Sequence, residues 1–389
     1  MKQLDAIAQN VRVRLPLVAL AIFALLAAMW AGLIRLGWGF PPLITGIGAL
    51  HGPLMVCGFL GTLVSLERAV ALGRRWAYAA PLFSAAGALI LLSTLAPFVG
   101  ALLLTLGSLG MVAIFYVITR RQPALFTYTM ALGALAWFIG NALWLGGLPL
   151  APVALWWSAF LILTIVGERL ELSRLLRLSQ TTERLFVGAV ALFLGGVVWN
   201  TFESVWFGDV EMYWGSHLAG LGMLALAAWL LRYDIARRTV RQRGLTRYIA
   251  LCLLLGYVWL GVGGALRLVY AGATGGPYYD AMLHAVFVGF VFSMIFGHAP
   301  IILPAVLGRA MTYSSFAYAA LGLLHASLAL RLAGDLVFGL WVRQWGGMLN
   351  VIAILVFLFL TARGIVFSLR APKHFVSGDR VHESPLASD

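Results

Sequence analysis

The sequence predicts an all-α fold, a polytopic integral membrane protein of about twelve transmembrane helices. Three observations predict it. The 389 residues are 62% hydrophobic and 11% charged, with mean hydropathy +0.95, a balance outside the range of soluble domains. The apolar residues fall in runs near the roughly 20 residues a bilayer requires. The basic residues flank those runs, alternating from one side to the other.

In order, the runs cover about 15–36, 43–67, 77–98, 100–119, 124–146, 151–172, 186–205, 212–232, 248–270, 279–304, 314–333 and 342–365. The first, Leu15 to Leu33, is long enough to span and ends in no small-residue cleavage pattern. All but four of the 27 basic residues lie on one side, which reads as cytoplasmic with both termini inside. The net charge of +13 therefore sets topology and does not signal nucleic acid. Trp38, Trp144, Trp156, Trp157, Trp206, Trp214, Trp341 and Trp345 mark an aromatic belt at the outer interface. Residues 1–370 read as one transmembrane domain and 371–389 as a disordered cytoplasmic tail. Cys57 and Cys252 lie in separate apolar runs, so no disulfide framework exists. Cys57 reads as core filling, and Met55 as core filling or a soft ligand one turn from His51.

Five of the seven histidines fall inside spans, where an ionisable side chain is a functional-site hypothesis by default. His51, His217, His284 and His325 share the outer half of the membrane. His298 lies near the inner end of the tenth span, fourteen residues past His284. On an α-helix that is roughly 320° and 21 Å, the same face at a different depth. The second, eighth and tenth runs share a faint echo, a histidine near the outer end followed by small residues, too weak to be a repeat. Neutral imidazole ligates haem iron, copper or zinc, and two histidines on facing helices suit a haem. A membrane histidine can equally bond between helices.

Four basic residues, Arg35, Arg267, Arg331 and Arg343, stand at the outer side against the general pattern. Arginine pairs carboxylates bidentately, so they suit either haem propionates or Asp280, Asp335 and lipid phosphates. Glu67, Arg68, Glu168, Arg169 and Glu171 read as neighbouring pairs at inner helix ends. Asn141 and Asn200 read as interhelical amides. No Walker A, GxSxG, HExxH or GxGxxG motif occurs in a credible context.

Twelve spans, a His51-Gly52-x-x-Met55 stretch on the second helix and His284 on the tenth resemble the catalytic subunit of the haem-copper oxidase superfamily. They resemble still more the NnrS family of haem- and copper-associated membrane proteins linked to nitric oxide stress and denitrification. The resemblance implies an oxidase-like bundle in a bacterial-type inner membrane, with His51 and His284 as axial ligands of a low-spin haem b. With no extramembrane redox domain in the sequence, electrons for such a centre would come from a donor protein or quinol. The sixth and seventh helices, where oxidases carry copper ligands, hold no histidine here, so a standard oxygen-reducing centre is not expected. By depth, His217 and His325 are candidates for a second haem or a copper. A transporter with a histidine relay, and a cofactor-free assembly subunit, remain the alternatives. Against transport, no symmetric pair of Gly/Pro-broken helices is evident beyond Pro53 and Gly261 to Gly264.

Overall fold

The computed structural model describes residues 11–176, 178–207 and 213–370. The expected tail at 371–389, Lys2, Asp209 and Glu211 lie outside these residues. Among the described residues there is no strand. Twelve helices are long and apolar enough to span a membrane: α1 Val13–Arg35, α2 Ile47–Leu72, α3 Arg75–Ser93, α4 Pro97–Arg121, α5 Leu125–Leu145, α6 Leu150–Ser173, α7 Gln180–Trp206, α8 Trp214–Tyr233, α9 Gly244–Val269, α10 Gly276–Leu307, α11 Ala317–Leu336 and α12 Leu340–Phe367. The all-α polytopic reading holds. The arginine-rich helix ends are termed inner and the opposite ends outer.

Local chemistry sets the boundaries. The α1–α2 connection contains Pro41 and Pro42 between two left-handed glycines, Gly37 (φ +88°) and Gly46 (φ +75°). That is why α2 starts at Ile47, later than hydropathy suggests. Helix α7 begins six residues before its apolar run, because the Ser179 hydroxyl accepts the Thr182 backbone N–H and caps it at 3.2 Å. Helix α3 stops at Ser93, where Thr94 turns left-handed and Pro97 opens α4.

Consecutive helices mostly pack against each other, as α3 with α4, α4 with α5, α5 with α6, α7 with α8, α8 with α9 and α11 with α12. Two helices depart from this order and form the centre. In α6, 89% of the spanning window is buried, and it touches α5, α7, α8 and α10. Helix α10 touches α1, α2, α6, α9, α11 and α12. Close approach relies on small residues, as between α8 and α9. A Cβ on Gly220 would stand 2.8 Å from the Gly264 carbonyl, and one on Gly264 would stand 2.7 Å from that of Gly220.

Three expectations change. Trp156 and Trp157 do not belong to the interface belt; they are 6% and 2% exposed, because α6 is central. The inner charges pair across helices more than with chain neighbours. Arg68 bonds Glu168, with Glu67 at 3.6 Å, and Arg169 bonds Asp234 bidentately at 2.8 and 2.9 Å. The tenth span is not α-helical throughout. Residues Ala285–Phe292 are π-helical, so the α-helical rotation between His284 and His298 does not apply.

Candidate functional site

Helices α2 and α10 bring His51 and His284 together. The ring centres stand 6.1 Å apart with planes 20° from parallel. Both helices change winding just past the histidine. Leu54–Leu60 of α2 is π-helical, as is Ala285–Phe292 of α10. The Gly61 N–H accordingly bonds Val56 O, five residues back. Such π segments recur at functional sites, since they rotate the following side chains out of α register. Helix α8 is regular from Trp214 to Tyr233, so the third member of the sequence echo, His217, lacks this feature.

Each ring is oriented by a carbonyl. His51 Nδ1 lies 2.7 Å from Ala28 O on α1, and His284 Nδ1 lies 2.8 Å from Asp280 O one turn back. A carbonyl only accepts, so Nδ1 carries a proton in both rings, and Nε2 is the nitrogen left to ligate when the ring is neutral. The Asp280 carboxylate is a further 3.3 Å contact of His284 Nδ1. Helix α1 makes room for the first ring with Gly32, where a Cβ would stand 2.9 Å from His51 Nδ1 and Cε1.

The two histidines line a cavity whose volume, counted as space open to the centre of a water molecule, is about 210 Å³. Its lining residues lie near the outer ends of α1, α2, α6, α10, α11 and α12 and farther along them. Trp157, Phe287, Phe292, Met29 and Met55 give it apolar walls. Trp157 is pinned by its N–H to Asn141 Oδ1 at 2.9 Å. The same oxygen accepts the Cys57 thiol at 3.2 Å, while Asn141 Nδ2 donates to Ser108 Oγ and Leu104 O, both at 3.2 Å. Cys57 is buried, as expected of a core residue, and is also part of this polar network.

Charged groups form the outer rim. Arg331 grips Asp280 with two parallel bonds of 2.9 and 3.0 Å. Arg343 reaches Asp280 at 3.6 Å and stands 2.7 Å from Asp335. The four groups join α10, α11 and α12. Arg35 lines the same cavity, and among the described residues no carboxylate pairs with it.

The predicted site residues thus divide. His51, His284, Arg331 and Arg343 meet at one cavity. Arg267 does not line it; this buried side chain donates to Ser216 Oγ at 3.2 Å. His217 keeps its Nδ1 2.7 Å from Tyr213 O, beside Trp214. His325 accepts the Trp259 N–H at 2.8 Å. Among the described residues no ring contact or hydrogen bond joins His217 to His325. No three His, Cys, Asp or Glu side chains there form a metal-ligand group. His298 lies away from the cavity with Nδ1 2.8 Å from Met294 O.

Sequence reasoning missed Trp157 and treated Asp280 only as a charge partner. The spacing of Asp280 and His284, four residues on one helix, was the available signal. Nothing local marked Trp157, whose neighbour Gly52 comes from another helix.

Residues 14–366 match the model of a domain of unknown function, DUF8744, and the chain belongs to that family. No curated protein matches it.

Proposed function

We propose that this member of the DUF8744 family is a haem-binding membrane protein that holds a low-spin haem b between His51 and His284. The observation that carries the reading is the disposition of the two imidazoles. His51 and His284 would hold the group between them: with metal–nitrogen bonds of about 2 Å, two imidazoles on one iron would have ring centres about 6 Å apart. The ring centres stand 6.1 Å apart. Both Nδ1 atoms face carbonyls, the outer-sphere arrangement that leaves Nε2 to the metal and fixes the ring. Apolar walls and a cationic rim suit an amphiphilic macrocycle with two carboxylates.

When bound, haem supplies one-electron chemistry at its iron. The chain holds the ligands still, keeps their tautomers and excludes bulk water with its aromatic walls. Arg35 is the rim cation best placed to take a propionate, since Arg331 and Arg343 already engage Asp280 and Asp335. The reading does not extend to a copper or second haem at His217 and His325, whose contacts are separate.

In the wider reading, this is an NnrS-like protein of a bacterial-type inner membrane, both termini cytoplasmic, serving nitric oxide handling or denitrification-linked redox chemistry. Its electrons come from a partner protein or quinol. The arginine distribution supports the orientation, and the His51 and His284 pairing supports the redox part.

The test is a reduced-minus-oxidised visible spectrum with a pyridine haemochrome assay on purified protein. One low-spin haem b per chain, lost in His51→Ala and in His284→Ala, is the expected result. A colourless protein after expression with ample haem refutes the proposal.

A further inference from the structure

The hairpin from the last turn of α8 to the first turn of α9 carries Arg232, Arg237, Arg238, Arg241, Arg243 and Arg247, and all six side chains are exposed. Its one acid faces the other way. Asp234 is 2% exposed; it takes both N–H groups of Arg169 at 2.8 and 2.9 Å and caps the Ala236 N–H at 2.6 Å. Its charge is neutralised inside the bundle, so the arginines outside keep theirs. Among the described residues none of the six has a carboxylate in ion-pair reach.

The segment is also ordered. The buried Asp234 carboxylate accepts the first N–H of a short helix, Ala236–Thr239, and Ala236 is fully buried. Turn bonds continue from Val240 N to Ala236 O at 2.9 Å and from Gln242 N to Thr239 O at 3.0 Å. The neighbouring start of α7 is tied to α8 by the Trp229 N–H on Thr182 O at 3.0 Å, and it adds exposed Arg184 beside exposed Glu183. Exposed aliphatic side chains adjoin the basic residues along the chain, Leu185 after Arg184 on α7 and Leu231 before Arg232 on α8.

A ligand for this face needs phosphate-like negative charge at one level and apolar length at the next. We propose that the hairpin is a binding site for anionic phospholipids, with the arginines on the phosphodiester headgroups and the acyl chains along Leu185 and Leu231. The topological bias of basic residues accounts for arginines on this side. It does not account for six on one ordered hairpin whose only acid is turned inward. A basic cluster of four to eight residues at the end of a span is the pattern of anionic-lipid recognition, and guanidinium forks suit phosphate oxygens.

The experiment titrates detergent-solubilised full-length protein with phosphatidylglycerol and, separately, phosphatidylcholine, counting bound lipids by native mass spectrometry. Phosphatidylglycerol is expected to bind at least tenfold tighter and to weaken with salt. Inorganic phosphate at equal headgroup concentration is expected not to displace it. The triple variant Arg237→Gln, Arg238→Gln, Arg241→Gln should weaken it by roughly ten- to a hundredfold. Arg120→Gln with Arg121→Gln, at another inner helix end, should leave it unchanged. Equal binding of both lipids by the unaltered protein overturns the proposal, as does displacement by free phosphate, tighter binding of an RNA oligonucleotide, or full affinity in the triple variant. The arms on the unaltered protein hold even if the triple variant misfolds.

Discussion

Gly32 offers the sharpest probe of the histidine pair, because it touches one ring and no charge. Gly32→Ala adds a single methyl on α1, and that carbon would lie 2.9 Å from His51 Nδ1 and Cε1. Ordinary contact begins at 3.4 Å, so the ring must retreat by about half an ångström or tilt. Metal–ligand distances tolerate only about 0.2 Å. The retreat also stretches the 2.7 Å bond to Ala28 O, which on α1 moves with the methyl and not with the ring. Losing that bond costs about 1 kcal/mol, and overpacking costs about 1–3 kcal/mol. On the proposed haem reading, together they would weaken haem retention by about 2–4 kcal/mol, roughly thirty- to a thousandfold. The assay is haem transfer to an excess of apomyoglobin, with the visible spectrum followed throughout. Faster transfer and a loss of low-spin character are expected, while the twelve-helix fold persists by circular dichroism. An unchanged transfer rate with an unchanged low-spin spectrum would refute the assignment of His51 as an axial ligand.

Two further outcomes test the surroundings of the site. Asp280→Asn leaves Arg331 without its counter-charge in a buried cluster, while Arg343 keeps Asp335, and a broken buried pair costs about 3–5 kcal/mol; a drop in thermal midpoint in detergent checks it, and restoration by the added change Arg331→Gln is expected. Asn141→Leu removes the acceptor shared by the Trp157 and Cys57 hydrogens, leaving a buried indole N–H unpaired at about 1–3 kcal/mol. Trp157 fluorescence is spread among fourteen tryptophans, so the readout is thermal stability together with haem retention, both reduced.

Much of the site was legible in single segments. His51 and His284 each lie a short count from the outer end of an apolar run, and hydropathy reports depth because the bilayer imposes one thickness on every span. Their shared level follows from counting. So does the position of Arg331 and Arg343 at the ends opposite the arginine-rich ones. Other features were misread for a common reason. Trp156 and Trp157 occupy the sequence position of an interface belt, yet α6 stands in the middle of the bundle, and no property of a single apolar run tells a central helix from a peripheral one. Arg267 and Arg35 are alike in the sequence, each closing an outward-running helix. Only the lateral arrangement turns one to Ser216 and the other to the cavity.

The sequence by itself determined the number of spans and which of them carry the five histidines within apolar runs. Those properties depend on transfer of each segment between water and lipid, which is local to the segment. Which histidines meet was decided by tertiary structure. Four lay at one depth, and the choice of His51 with His284 came from α10 packing against α2 and α1, from the absent side chain at Gly32 and from the π turns that follow both rings. Within lipid, helices are ordered by side-chain fit and interhelical hydrogen bonds, not by hydrophobic burial. That fit is a property of two surfaces at once, so it cannot be read from either helix alone.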